Sequence, residues 1–135
     1  TIPLAKLGEG GGTTGVEGSR EAVRFARENA AVGGVDSARF VCQPVEGAVL
    51  GKILERESPA VVVLDPPRGG GLDAVKSLAA AGPRRIIYVS CSPPTLARDV
   101  SFLLKHGYKP FSAGVVDMFP QTYHIEGVVG LDLVK

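Results

Sequence analysis

The chain has 135 residues, with 15 lysines and arginines against 14 aspartates and glutamates, and so a formal net charge of +1. This length accommodates one domain, and a hydrophobic share of 44% is enough for a packed core. The chain has no run of like charges, so an RNA substrate would need a local site rather than a basic surface. No apolar stretch reaches the roughly 20 residues that span a bilayer, and Cys42 and Cys91 have no metal-ligand spacing. We therefore expect a cytoplasmic protein with reduced thiols, no membrane association and no metal site.

The first half of the chain alternates between predicted strands and helices. Residues 13–17 and 38–42 are typical of short strands, and Ser19 supplies the N-cap of a helix that runs to about Val32. After a second helix, residues 60–64 (AVVVL) form an unbroken apolar run, which is typical of a strand covered on both faces. We therefore expect a parallel sheet with helices on either side.

The second half continues the alternation and then changes pattern. A short helix over residues 72–81 precedes a strand at residues 86–89, and two prolines then open a helix at Pro93. Residues 111–118 and 125–134 are strand-like, and the connection between them is too short for a parallel crossover, so we expect them to pair antiparallel. This order predicts an α/β fold with the Rossmann-like sheet of many methyltransferases, mostly parallel with an antiparallel C-terminal strand pair.

Several polar residues directly follow predicted strands, at the sheet edge where such folds bind ligands. Cys91 precedes a helix N-terminus, which favours a thiolate nucleophile, although a buried structural cysteine fits the same position. Glu17 is either a surface acid or a ligand for a ribose, and the prolines after Asp65, including Pro67, fix the direction of its carboxylate. Glu126 lies in an apolar stretch, and from the residues alone a solvent-facing edge strand is the favoured interpretation.

Three longer segments carry a family resemblance. They are DPPRGG at residues 65–70, IIYVSCSPPTLARD at residues 86–99 and DMFPQTYHIE at residues 117–126. Together they resemble the RNA 5-methyluridine methyltransferases, which methylate uracil in tRNA or ribosomal RNA with S-adenosylmethionine. Order and spacing agree across nearly the whole chain, so the resemblance implies a Rossmann-like class I methyltransferase sheet and an RNA substrate.

The resemblance implies catalytic and cofactor-binding roles for three residues. Cys91 would be the nucleophile that adds to carbon 6 of uracil, and Glu126 the base that removes the hydrogen from carbon 5. Glu17 would accept hydrogen bonds from the ribose of S-adenosylmethionine.

The remaining site residues concern the target base. The resemblance implies that Asp65 holds the uracil and helps to close the cofactor pocket. We expect Arg68 on the substrate side as well, with Pro67 and Phe119 as apolar walls for a base that has been flipped out of its stack.

The sequence departs from the family pattern in two ways. Ser92 stands where the family usually has Asn, which we expect to weaken the activity. Residues 1–5 resemble the start of the helix that follows the family's first strand and glycine-rich cofactor loop. We therefore expect residues 1–135 to be a partial S-adenosylmethionine-dependent catalytic domain, inactive alone, that lacks this strand and loop, the upstream RNA-binding part and the iron–sulfur cysteines of some members. Unpaired sheet edges would then favour dimerisation or low stability.

Two other functions stay open at this point. The chain could be a non-catalytic or degenerate domain that only binds RNA or a partner, which the missing loop and Ser92 favour. An amino-group methyltransferase has a related loop that usually ends in an aromatic residue, and Arg68 in that place, together with Cys91 and Glu126, argues against it.

Overall fold

The computed structural model describes residues 1–8, 11–118 and 120–134 of the chain. The helices are α1 (Ile2–Leu7), α2 (Arg20–Val32), α3 (Gly47–Glu57), α4 (Leu72–Ala81) and α5 (Pro93–Lys105). The strands are β1 (Thr13–Glu17), β2 (Ala38–Cys42), β3 (Val61–Leu64), β4 (Arg85–Ser90), β5 (Tyr108–Val116) and β6 (Glu126–Leu133). None of the helices described here has both the length and the apolar character needed to cross a membrane. The chain divides into two compact units, Thr1–Val45 and Glu46–Lys135.

The first unit contains β1 and β2, which pair in parallel from Thr13 beside Ala38 to Glu17 beside Cys42. The predicted N-cap is confirmed, because Ser19 Oγ accepts a hydrogen bond from Ala22 N at 3.2 Å. β1 ends at Glu17, as predicted, and the exposed carboxylate of Glu17 lies at the carboxyl end of the strand.

The second unit contains a four-stranded sheet in the order β3–β4–β6–β5. β3 and β4 are parallel, whereas β6 runs antiparallel to both β4 and β5, so the predicted antiparallel pair is confirmed. The edge-strand interpretation of Glu126 is wrong, because β6 lies between two strands and Glu126 pairs with Val116 of β5. The sequence of β6 does not show that the strand is an interior one. The first residue of an interior strand lies at the end of the sheet, so it can be polar just as in an edge strand.

The core of the second unit lies on one face of this sheet. Tyr88 of β4 and Leu131 of β6 are fully buried there, against side chains of α4 and α5. On β3, Leu64 joins this core, whereas Val61 is 53% exposed and Val63 is 45% exposed. The prediction that this strand is covered on both faces is therefore wrong for the described residues. An apolar run shows that the side chains on both faces of a strand are hydrophobic. It does not show which of the two faces packs against a helix.

Candidate active site

Cys91 and Glu126 lie at adjoining ends of β4 and β6. Ser90, the last residue of β4, pairs with Gly127 in the antiparallel register. Cys91 directly follows Ser90 and Glu126 directly precedes Gly127, so the two residues flank the last pair of this register. Both are half-buried, and the Cys91 thiol is free. The structure thus brings together the two residues for which the resemblance implies catalytic roles.

The turn at Cys91 is fixed by hydrogen bonds of its neighbours. Ser90 is fully buried, and its Oγ accepts from Ser92 N at 3.1 Å and donates to Ser92 O at 3.3 Å, so it bridges across Cys91. Ser92 is the N-cap residue of α5, but its side chain makes no capping hydrogen bond. The thiol therefore lies in a short turn that is constrained by β4 on one side and by the start of α5 on the other.

The residues that follow β3 form the loop 65–71, which carries three of the predicted site residues. Asp65, Pro67 and Arg68 are exposed, and a turn in which Gly70 N donates to Pro67 O at 2.8 Å folds the loop back. Arg68 Nη2 lies 3.5 Å from Nδ1 of His124, and since a guanidinium only donates, the ring nitrogen accepts. His124 is two residues before Glu126, so the loop contacts the segment that leads to the predicted base.

A buried carboxylate joins the loop to α5. Asp99 Oδ2 accepts from Tyr88 Oη at 2.6 Å and from Gly71 N at 2.8 Å, and its Oδ1 accepts from Arg98 Nε at 2.8 Å. Burial alone would raise the pKa of Asp99, but the hydrogen bonds from Arg98, Tyr88 and Gly71 outweigh it and hold this pKa below the usual value. Burial, followed by the bond to Asp99, raises the pKa of the Tyr88 hydroxyl.

Sequence reasoning missed this carboxylate. Asp99 falls within one of the segments that carry the family resemblance, yet no role was expected for it. A signal was present in the helical spacing, because Leu96, Asp99 and Leu103 are three and four residues apart and so share one face of α5. An acid on the apolar face of a helix needs hydrogen-bonding partners, and the sequence does not say where those partners are.

Glu17 and Phe119 complete the predicted site residues. Glu17 belongs to the first unit, where its Oε1 accepts from Ser19 N at 2.7 Å. A carboxylate has further acceptor positions, so this exposed group at a strand end suits a pair of neighbouring hydroxyls such as those of a ribose. Phe119 lies outside the described residues. Within residues 1–8, 11–118 and 120–134, no group of three or more His, Cys, Asp or Glu side chains is arranged to hold a metal ion.

Comparison with solved structures identifies the fold. A precorrin-6y C5,15-methyltransferase from Geobacter metallireducens superposes with a TM-score of 0.71 over 96% of this chain and 71% of the other, at 17% identity. A tRNA (uracil-54, C5)-methyltransferase from Pyrococcus abyssi, solved in complex with S-adenosyl-L-homocysteine, superposes with a TM-score of 0.77 at 36% identity. This second match covers 96% of this chain and 30% of the other. The fold is that of the Rossmann-like class I methyltransferases.

Sequence comparison then identifies the family. The sequence model of the tRNA (Uracil-5-)-methyltransferase family matches residues 49–134, which is more than half of the chain. The 23S rRNA (uracil(1939)-C(5))-methyltransferase RlmD of Aeromonas salmonicida is 41% identical over 95% of the chain. The chain belongs to the tRNA (uracil-5-)-methyltransferase family, as the three segments of the sequence predicted. It spans 29% of the length of the Aeromonas relative.

Proposed function

We propose that this chain is the catalytic part of an enzyme that methylates carbon 5 of a uridine in tRNA or ribosomal RNA through a covalent link to Cys91. Membership of the uracil-5-methyltransferase family supports the reaction. The single observation that carries the proposal is the register of β4 and β6, whose last pair, Ser90 with Gly127, is flanked by Cys91 and Glu126. The loop 65–71 contacts His124, and this contact supports the proposal that the uracil binds at the same end of the sheet.

The cofactor of this proposal is S-adenosylmethionine, whose demethylated product is bound in the Pyrococcus abyssi relative. When bound, it supplies an electrophilic methyl group. Glu17 has the chemistry to accept hydrogen bonds from its ribose, since the carboxylate is exposed at the carboxyl end of a parallel strand. Asp65 directly follows the last residue of β3 and would help to close the pocket.

The chain's own residues would act first on the uracil. A base that has been flipped out of the RNA would lie against Pro67, with Asp65 and Arg68 as hydrogen-bonding groups and Phe119 as a second apolar wall. Cys91 Sγ adds as a thiolate to carbon 6, and the electron pair of the C5–C6 double bond moves onto carbon 5 and its neighbouring carbonyl oxygen. Carbon 5 of free uracil is too weakly nucleophilic to take up a methyl group, and this addition makes it an enolate carbon.

Glu126 would complete the reaction after carbon 5 has taken up the methyl group. Its carboxylate removes the remaining hydrogen from carbon 5 as a proton, and the electron pair of that C–H bond restores the C5–C6 double bond. The bond from Cys91 Sγ to carbon 6 breaks, so the thiolate is released. Glu126 is left protonated and loses its proton to solvent before the next turnover.

The test of this function uses the full-length protein that contains this chain. It is incubated with unmodified RNA and S-adenosylmethionine labelled in the methyl group, and the digested RNA is analysed for 5-methyluridine. We expect Cys91→Ser to abolish the product and Glu126→Gln to slow turnover by about 10²- to 10⁴-fold while the protein–RNA adduct accumulates. Cys42→Ser is the matched control, because Cys42 belongs to the first unit, where its Sγ lies 3.7 Å from Gly18 O, and we expect it to leave the product unchanged.

Two results would contradict the proposal. A label found on a base other than uracil, or full activity in Cys91→Ser, would exclude the covalent mechanism. If wild-type protein binds the cofactor and several RNAs but incorporates no label, a non-catalytic domain that binds RNA or a partner would account for the chain better.

A further inference from the structure

Asp99 is a buried charged residue for which the proposed reaction has no use. Its exposed fraction is 0%, and Ser90 is the only other buried polar residue among those that the structure describes. A carboxylate is costly to bury unless hydrogen bonds replace those it made with water. The three donors around Asp99 provide this replacement, and their positions in the chain indicate what the carboxylate holds together.

The donors come from both sides of Cys91. Tyr88 lies on β4, three residues before Cys91, and is itself fully buried. Asp99 and Arg98 lie on α5, which begins two residues after Cys91. The hydrogen bond between Tyr88 Oη and Asp99 Oδ2 at 2.6 Å therefore links β4 to α5, and Cys91 lies in the turn between these two elements.

The third donor, Gly71 N, belongs to the loop 65–71. The same helix satisfies a further backbone group of this loop, because Arg98 Nη2 donates to Gly69 O at 3.2 Å. Thr95 Oγ1 lies 3.1 Å from Ser92 O and 3.3 Å from Arg68 O, and its one proton is shared between these two acceptors. The loop has no helix or strand of its own, so these bonds to α5 fix the path of its backbone.

Gly70 shows how close the loop approaches the helix. Its φ of +84° is in the left-handed region that favours glycine. A Cβ at this position would collide with Arg98 Nη2 and lie only 2.8 Å from Asp99 Oδ2. The close packing therefore leaves no room for a side chain on the inner side of the loop.

We propose that Asp99 is a positioning residue that holds the loop 65–71 in one arrangement relative to the turn that carries Cys91. Its effect on catalysis rests on the proposed function, because Asp65, Pro67 and Arg68 are the groups that would hold the uracil. Loss of the carboxylate would displace these groups, whereas the turn that carries Cys91 keeps its own hydrogen bonds between Ser90 and Ser92. A displacement of about 1 Å is enough to slow a reaction by roughly 100-fold.

The first test does not depend on activity. Amide hydrogen exchange of the full-length protein is measured by mass spectrometry for wild type, Asp99→Ala and Asp99→Asn. We expect Asp99→Ala to speed exchange in peptides that cover residues 65–71 by about tenfold or more, because Gly71 N loses a hydrogen bond to a charged group. Asn keeps one acceptor oxygen for Gly71 N or Tyr88 Oη, so Asp99→Asn should recover part of the protection.

Asp36→Asn is the matched control, since it removes an exposed carboxylate of the other unit. We expect its exchange pattern to equal that of wild type. Unchanged exchange at residues 65–71 in Asp99→Ala would overturn the proposal. A uniform rise across the whole second unit would also overturn it, because that result describes general destabilisation rather than loss of one anchor.

The second test distinguishes a change in the position of the uracil-binding groups from a change in the reactivity of the Cys91 thiol. For Asp99→Asn we expect kcat for RNA methylation to fall by about 10- to 100-fold with little change in the KM for RNA, while iodoacetamide alkylates Cys91 at the wild-type rate. Faster alkylation of Cys91 in the variant would contradict the positioning role. If the wild-type protein has no methyltransferase activity, the proposed function fails, whereas the exchange experiment still decides whether Asp99 anchors the loop.

Discussion

Ser90 and Asp99 are the residues that the structure adds to the site, and both act through backbone atoms. Ser90 Oγ bonds Ser92 N and Ser92 O, and Asp99 bonds Gly71 N. Neither role could be read from the sequence, because each requires a partner whose position depends on the folded chain. The catalytic roles of Cys91 and Glu126 were expected from the family resemblance, whereas the residues alone favoured an edge strand for Glu126, which the structure corrects.

The lowered pKa of Asp99 predicts an acid-dependent loss of stability. A carboxyl group whose pKa is lower in the folded than in the unfolded state stabilises the fold above its unfolded pKa of about 4. This contribution is lost as the pH falls through the lower folded pKa. We therefore expect the difference in urea midpoint between wild type and Asp99→Asn to be largest above about pH 4 and to shrink below it.

Urea titrations of the chain at several pH values between neutral and strongly acidic check this prediction. Asp132 contributes to the acid sensitivity of both proteins, because its hydrogen bond to Arg85 also lowers its pKa, so only the difference between the two proteins reports on Asp99. A difference that is constant, or that grows as the pH falls, would exclude an ionised Asp99 in the folded state.

At the scale of elements, local features predicted the helices and strands well. The caps of α2 and α4 are set by residues directly next to the helices, namely Ser19 before α2 and a left-handed Gly82 with a φ of +67° after α4. The insertion of β6 between β4 and β5 could not be predicted in this way, because strand order depends on contacts between distant segments. The exposure of one face of β3 could not be predicted for the same reason, because it also depends on contacts between distant segments.

The contact between β5 and β6 gives a prediction about Gly130. The register of the two strands shifts between Pro110 and Ser112, and the ring of Phe111 lies over Gly130. A Cβ on Gly130 would collide with that ring and lie 2.7 Å from Ser112 Oγ. We therefore expect Gly130→Ala to lower the free energy of unfolding by about 1–3 kcal/mol through overpacking, as measured by urea denaturation.

Gly114 provides the matched control for this substitution. It also lies in the β5–β6 pair, opposite Val128, but an added Cβ there would meet no atom within 4 Å. We expect Gly114→Ala to change stability by less than about 0.5 kcal/mol. Equal losses from the two alanines would mean that the limited space above Gly130 does not determine the effect.

At the scale of the whole molecule, the chain contains two sheets rather than one. Among the described residues, β1 pairs only with β2 and β3 pairs only with β4, so each leaves one edge without a strand partner. Such edges expose backbone N–H and C=O groups that readily pair with another chain.

We accordingly expect the 135-residue chain on its own to associate through these edges or to have low stability, and to bind S-adenosylmethionine poorly. Light scattering coupled to size exclusion reports the oligomeric state, and titration calorimetry reports cofactor binding. A stable monomer that binds the cofactor as tightly as the full-length protein would contradict this expectation.

The central claim is that Cys91 forms a covalent bond to uracil, and trapping that bond tests it most directly. The full-length protein is incubated with S-adenosylmethionine and RNA that contains 5-fluorouracil, and the mixture is resolved on a denaturing gel. Fluorine cannot leave carbon 5 as a proton, so Glu126 cannot complete the elimination and the adduct persists. We expect a shifted band with wild type and with Cys42→Ala, and none with Cys91→Ala. A band that persists in Cys91→Ala, or no band in a folded, cofactor-bound wild type, would contradict the account.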